Sequence, residues 1–235
     1  MKKCMCLLFV LFPVWVSAQK REIMEAASGD DLTKKASTRM QYLFPEFING
    51  DVYYLGSPKG SGKLNYNMLL GEMQFLENDE VLSLANVKNV IVVAIDNRKF
   101  YPFGEKEFAE ELLSTNIGKL WVRRKGNVIQ HSKKEAYGTS SSTSATTSYS
   151  SINSDGQQYK LSVRENVMIT LNCYYYLVDA NGKHVLIRNQ KTFTKQFPEH
   201  KTQIETFVRD HHIRFDNEDD LKSLLEYCSE LHPRS

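Results

Sequence analysis

Apolar residues recur at every second position in several short runs between Gly50 and Phe103. In the clearest run, Leu64, Tyr66 and Met68 share one face, whereas Asn65 lies on the other. Successive side chains of a β-strand point to opposite faces, so this alternation predicts strands. The sequence therefore favours a sheet as the centre of the fold.

The C-terminal part changes to a helical period after Phe197. Pro198 suits a first helical turn, and Asn217 followed by three acids is typical of a second helix start. We predict an α+β fold: a large curved antiparallel β-sheet or partly closed barrel with two C-terminal amphipathic helices at about 198–231. Val90 to Ile95, apolar on both faces, is expected at the centre of the sheet.

The N-terminal residues 1–18 have the pattern of a cleaved signal peptide. Two lysines precede an apolar run of about a dozen residues, which ends at the small residues Ser17 and Ala18. This run is too short for a membrane helix, so no transmembrane segment is expected after cleavage. Residues 19–39 are interpreted as a flexible leader with a helical candidate at Arg21 to Ala27, and residues 40–235 as a single β-rich domain.

The charge balance argues against nucleic acid as a partner. The segment 1–18 carries two Lys and no acid, which leaves 28 basic and 28 acidic residues in the exported chain. A balanced chain exerts no general attraction on a polyanion. No nucleic acid is therefore expected as a partner, and the oligomeric state is left open.

Several local patterns give further expectations. Met40 to Phe47 is predicted to be a strand, Asn49-Gly50 a turn, and Phe108 to Leu113 either helix or strand. Between Thr139 and Ser151, 11 of 13 residues are Ser or Thr. Such a run buries little apolar area, so 138–154 is predicted to be an exposed loop, either a connector or a binding segment.

Tyrosines supply the candidate binding residues. Three are consecutive in a predicted strand and must alternate between its faces, so at least one points away from the core. Two more frame the hydroxyl-rich loop. The candidate binding set is Tyr137, Tyr149, Tyr174, Tyr175 and Tyr176.

Cys173 and Cys228 remain after signal cleavage. In an oxidising compartment they could form a disulfide, but their apolar neighbours favour two buried free thiols instead.

Standard catalytic motifs are absent from the exported sequence. The segment GSPKGSGK at 56–63 lacks a glycine and a hydroxyl that a phosphate loop requires. Asp210, His211 and His212 are adjacent on a helix, so their side chains diverge and do not form a metal site. No catalytic residue, metal ligand or cofactor is predicted.

Four phrases, LFPEFINGDVYYLG, KLNYNMLLGEMQF, AYGTSSSTSATTSYSS and FPEHKTQIETFVRDHHIRFDNEDDLKSLLEYC, span nearly all of the exported chain. They resemble uncharacterised exported proteins of Bacteroidota. The resemblance implies a Gram-negative envelope, with the periplasm or cell surface as location. The missing catalytic motifs, the tyrosine-rich strands and the Ser/Thr-rich loop favour a non-catalytic binding or scaffold protein of the bacterial cell envelope. The expected partner is an envelope protein or a glycan. The alternative is an envelope hydrolase that acts on glycan or peptide with a dispersed active site.

Overall fold

The computed structural model describes residues 21–26, 30–132, 146–151 and 165–232. Within these ranges, twelve strands form one antiparallel sheet. They are β1 (Arg21–Ala26), β2 (Ile48–Tyr54), β3 (Gly60–Asn67), β4 (Glu72–Glu77), β5 (Glu80–Ser83), β6 (Val90–Ile95), β7 (Arg98–Phe103), β8 (Glu107–Thr115), β9 (Gly118–Ser132), β10 (Thr146–Ser151), β11 (Glu165–Val178) and β12 (His184–Ile187).

The described helices are α1 (Leu32–Lys35), α2 (Thr38–Gln41), α3 (Gln190–Thr194), α4 (Lys201–Asp210) and α5 (Glu218–Leu231), with 3-10 turns at Val87–Asn89 and Pro198–His200. Asn217 caps α5 by accepting hydrogen bonds from the amides of Asp219 and Asp220 at 2.9 and 3.0 Å. The predicted second C-terminal helix and its cap are therefore confirmed.

The sheet runs in the order β1-β11-β9-β8-β7-β6-β2-β3-β4-β5, with β10 on β9 and β12 on β11. A further pairing of Glu72 in β4 with Glu107 in β8 closes β8, β7, β6, β2, β3 and β4 into a ring. The predicted fold class, α+β with a curved, partly closed sheet, is confirmed. β6 lies between β7 and β2, as its apolar composition predicts.

Two hydrophobic cores follow from this topology. The first lies among the ring strands, where Tyr66 donates a hydrogen bond from its hydroxyl to the Phe108 carbonyl across the ring at 2.9 Å. The second lies between β9, β11 and the C-terminal helices. Its members include Val122 and Tyr175 from the sheet and Leu224 from α5. The helices thus cover one face of β9 and β11 and leave the other face uncovered by them.

Three local predictions are wrong. Arg21–Ala26 is a strand paired with β11, not a helix, because its partner supplies the hydrogen bonds. Met40 to Phe47 is not a strand; it contains the end of α2 and a series of bends. Asn49-Gly50 lies inside β2, where a side chain at Gly50 would come within 2.8 Å of the Ala94 carbonyl oxygen. That close approach, rather than a turn, explains the glycine.

The pairing of the strands decides the outcome of other local predictions. Phe108 to Leu113 belongs to strand β8. The prediction of a loop at 138–154 is wrong for Thr146–Ser151, because this segment is a strand that pairs with β9. The other residues of the predicted loop lie outside the described ranges. In the segment interpreted as a leader, Leu32 and Ala36 are buried in the first core.

Candidate functional site

Strand alternation gives β9 two different faces. Val122 and Arg124 point towards the cores, and Trp121 and Arg123 point to the opposite side. The register of β11 continues this division, because Tyr176 lies opposite Trp121 and Tyr174 opposite Arg123. The sheet therefore presents a second face on the side away from the helices.

Side chains from four strands meet on that side. We call them the aromatic face: Tyr101 and Phe103 of β7, Trp121 and Arg123 of β9, Tyr174 and Tyr176 of β11, and His184 of β12. Most are half-buried, Tyr176 is buried and His184 is exposed. A surface that is aromatic yet partly open to solvent is typical of an interaction site.

The rings pack closely. Tyr101 stacks on Trp121, with ring centres 4.7 Å apart and planes 9° from parallel. Phe103 contacts both Tyr176 and His184, at 4.8 and 4.7 Å between centres. The resulting platform is held by its own contacts before any molecule binds.

Arg123 lies between two of these rings. Its guanidinium carbon is 5.4 Å from the centre of the Phe103 ring and 5.1 Å from that of Tyr174, within cation–π range. Its Nη1 also donates to Glu107 at 2.9 Å, and Glu107 accepts a second hydrogen bond from Lys125. Arg123 is thus positioned by two rings and a carboxylate.

A second ion pair borders the Tyr101–Trp121 stack. Lys119 donates to Glu111 at 2.8 Å and lies 5.0 Å from the centre of the Tyr101 ring. The hydrogen bond to Glu111 raises the pKa of Lys119. Burial, with the negative charge of Glu111, raises the pKa of the Tyr101 hydroxyl, which therefore remains a neutral donor.

Two buried donors on the aromatic face lack a partner. Trp121 Nε1 and Arg123 Nε have no hydrogen-bond acceptor in the part of the chain that the structure describes. An unpaired buried donor costs about 1–3 kcal/mol. A ligand that supplied acceptors there, after a shift of the surrounding rings, would relieve that cost.

The structure divides the tyrosines predicted from sequence. Tyr174 and Tyr176 belong to the aromatic face. Tyr175 points the other way and is buried against the helices, which raises the pKa of its hydroxyl. Tyr149 lies in β10 opposite Ile129, and Tyr137 lies outside the described residues.

Sequence reasoning missed the partners of Tyr174 and Tyr176. Trp121, Arg123 and Lys125 are alternate residues of the strand predicted at Lys119 to Lys125, so their common face could have been identified from that spacing alone. Tyr101, Phe103 and His184 carry no comparable signal, because only the strand order brings them to Trp121 and Tyr176.

The opposite face carries a buried charge cluster. Glu110, with a side chain 3% exposed, accepts hydrogen bonds from Arg98 at 2.7 Å and from Arg124. Arg124 also lies 3.6 Å from Glu218 at the start of α5. Burial opposes the Arg124 charge, but the Glu110 carboxylate outweighs it and raises the guanidinium pKa. These contacts tie β7, β8 and β9 to α5.

A cleft of about 780 Å³ opens beside the edge strand β5. It is lined by residues 83–89 together with Glu72, Glu105 and Lys106. The Glu72 carboxylate accepts a hydrogen bond from the Ser83 hydroxyl at 2.8 Å, and Lys88 lies 3.9 Å from Glu105. The cleft is large enough for a small ligand.

The remaining reactive side chains lie elsewhere. Cys173 and Cys228 are reduced thiols, the first exposed on β11 and the second buried on α5. Burial raises the pKa of the Cys228 thiol to about 12.

Glu199, His200 and His232 place one potential metal-ligand atom each within 4.8 Å of one another, a combination that sequence analysis did not identify.

No known protein family, curated protein or solved structure matches this chain significantly. Within the described residues, no helix has the length and apolar character needed to cross a membrane. The function of the aromatic face therefore has to be inferred from its own geometry.

Proposed function

We propose that this chain is an exported, non-catalytic binding or scaffold protein of the bacterial cell envelope, located in the periplasm or at the cell surface. The observation that carries the proposal is the aromatic face, a prepacked platform on the side of the sheet away from the helices. The predicted signal peptide and the resemblance to exported proteins support the location.

The composition of the face favours an envelope protein as the partner. Tyr, Trp and Arg dominate the energetically important centres of protein interfaces, where they combine large contact area with polar groups. Trp121, Arg123 and Tyr174 provide this combination. The flanking ion pairs of Glu107 and Glu111 resemble the polar rim of such an interface.

A glycan is the second partner class. Aromatic rings offer flat apolar surfaces to the faces of sugar rings, and Arg123 and Glu107 offer hydrogen-bonding groups beside them. The two classes differ in the area they cover, because a protein partner would extend onto the rim charges.

The test is capture from envelope extract by the purified protein, with Trp121→Ala/Tyr174→Ala as the variant. Tyr53→Ala is the matched control, since Tyr53 is an exposed tyrosine on β2 outside the aromatic face. We expect the double substitution to reduce capture at least tenfold and the control to leave it unchanged. Equal capture by all three proteins would refute the assignment of this face.

The hydrolase alternative has one structural observation in its favour, the cleft beside β5 with two carboxylates in its lining. If the protein is a hydrolase, purified protein should turn over an envelope glycan or peptide, and Glu72→Gln should abolish turnover without changing capture by the aromatic face. The binding proposal expects no turnover that depends on Glu72.

A further inference from the structure

Two histidines and a glutamate converge where the last helix ends. Glu199 and His200 belong to the 3-10 turn before α4, and His232 follows the last residue of α5. Their ligand atoms lie within 4.8 Å of one another. None of these elements contributes to the aromatic face, so this cluster is independent of the proposed binding function.

Hydrogen bonding fixes the orientation of the His232 ring. Its Nδ1 lies 3.0 Å from the Cys228 carbonyl oxygen, which can only accept, so Nδ1 carries the proton. In the neutral ring Nε2 then carries a lone pair and no proton, and it lies 2.9 Å from Glu199 Oε1. Two acceptors at this distance require either a proton between them or a cation bound to both.

His200 supplies a third potential ligand. Its ring packs edge-to-face with that of His232, with centres 4.3 Å apart. Its buried Nδ1 has no hydrogen-bond partner among the residues that the structure describes. Coordination would supply a partner to an imidazole nitrogen that is otherwise unpaired inside the protein.

We propose that Glu199, His200 and His232 form a zinc-binding site. Two imidazoles and one carboxylate are a common three-residue ligand set for zinc, with water in the fourth position. The bond from His232 Nδ1 to the Cys228 carbonyl is the outer contact that typically orients a ligating histidine.

The required rearrangement is small. Tetrahedral zinc holds nitrogen and oxygen ligands at about 2.0–2.2 Å, which places ligand atoms about 3.3 Å apart. The Glu199–His232 pair is already near that spacing, and His200 needs a side-chain movement of at most about 1.5 Å. The exposed Glu199 side chain leaves an entry path for the ion.

Bound zinc would join the end of α5 to the turn before α4. Because the ion binds the folded arrangement, it should raise the melting temperature of the protein. Mg²⁺ prefers oxygen ligands and should have no such effect at the same concentration.

The test is zinc titration by calorimetry on purified protein without a polyhistidine tag, with the visible absorption of Co²⁺ as a second readout. We expect one ion per chain, a tetrahedral cobalt spectrum and an affinity reduced at least tenfold by His200→Ala or His232→Ala. His212→Asn is the control: it removes an exposed imidazole outside the cluster, and asparagine tolerates the positive φ of 53° at that position.

Glu199→Gln provides a variant that keeps the shape of the side chain, so a weaker affinity there cannot be attributed to misfolding. Circular dichroism of each metal-free variant establishes that it is folded. Absence of stoichiometric zinc binding, equal binding by His200→Ala and the unmodified protein, or an equal rise in melting temperature with Mg²⁺ would overturn the zinc site.

Discussion

Arg123 and Arg124 are neighbours in β9, yet they lie in opposite environments. Arg124 is buried, hydrogen-bonded to Glu110 and close to α5. Arg123 lies between Phe103 and Tyr174 on the half-exposed side of the sheet. The strand's alternation places one arginine in the buried charge cluster and the other on the aromatic face, so residue type alone does not indicate the role of either.

The largest expected effect concerns the buried side of this comparison. Glu110→Ala leaves Arg98 and Arg124 without their shared carboxylate, which should lower the free energy of unfolding by about 3–5 kcal/mol. Glu111→Ala is the matched control, because the adjacent glutamate pairs with a partly exposed lysine and should cost about 1 kcal/mol or less. Urea denaturation measures both, and similar losses would contradict the division between faces.

The two cysteines also differ in burial, since Cys173 is exposed and Cys228 is buried. The pKa of Cys228 is raised to about 12, whereas its ordinary value is 9.0, so the folded state favours the neutral thiol. The contribution of the neutral Cys228 thiol to the free energy of unfolding is complete below pH 9. It is lost as pH rises towards 12, by up to about 1.4 kcal/mol per pH unit. Denaturation at pH 8 and pH 10 should show a loss that Cys228→Ala lacks.

Thiol labelling checks the same contrast at neutral pH. A maleimide should modify exposed Cys173 first and reach Cys228 only when the protein opens. Equal labelling rates for the two cysteines in the folded protein would show that the helical core is not closed around Cys228.

The smallest stability change is expected on the aromatic face. Trp121→Ala removes the stack with Tyr101, worth about 1 kcal/mol beyond burial, but it also removes an unpaired buried donor. We expect the free energy of unfolding to change by about 1 kcal/mol while partner capture falls at least tenfold. A loss above about 3 kcal/mol would assign Trp121 to the core instead.

Local signals explain what the sequence could predict. The cap at Asn217, the acids after it and the apolar face of α5 all lie within one helix, so the sequence identifies that helix directly. The alternation of β3 and the apolar character of β6 are equally local. The predicted fold class depends on these elements and agrees with the structure.

Long-range pairing explains the rest. β1 resembles a helix in sequence and becomes a strand because β11, more than 130 residues away, supplies its hydrogen bonds. Trp121 meets Tyr101 and Tyr176 only through the strand order, and His232 meets Glu199 only when the last helix packs back. These contacts join residues that are far apart in the sequence, so no local spacing pattern predicts them.

The two arginines provide the most direct measurement of the central claim. Arg123→Ala and Arg124→Ala should be compared for unfolding free energy and for partner capture in the same preparations. We predict that Arg124→Ala loses about 3 kcal/mol of stability, because the buried Glu110 carboxylate then keeps only the partly exposed Arg98 as its partner. Arg123→Ala should lose about 1 kcal/mol or less and most of its capture. A large stability loss in Arg123→Ala with unchanged capture would contradict the account.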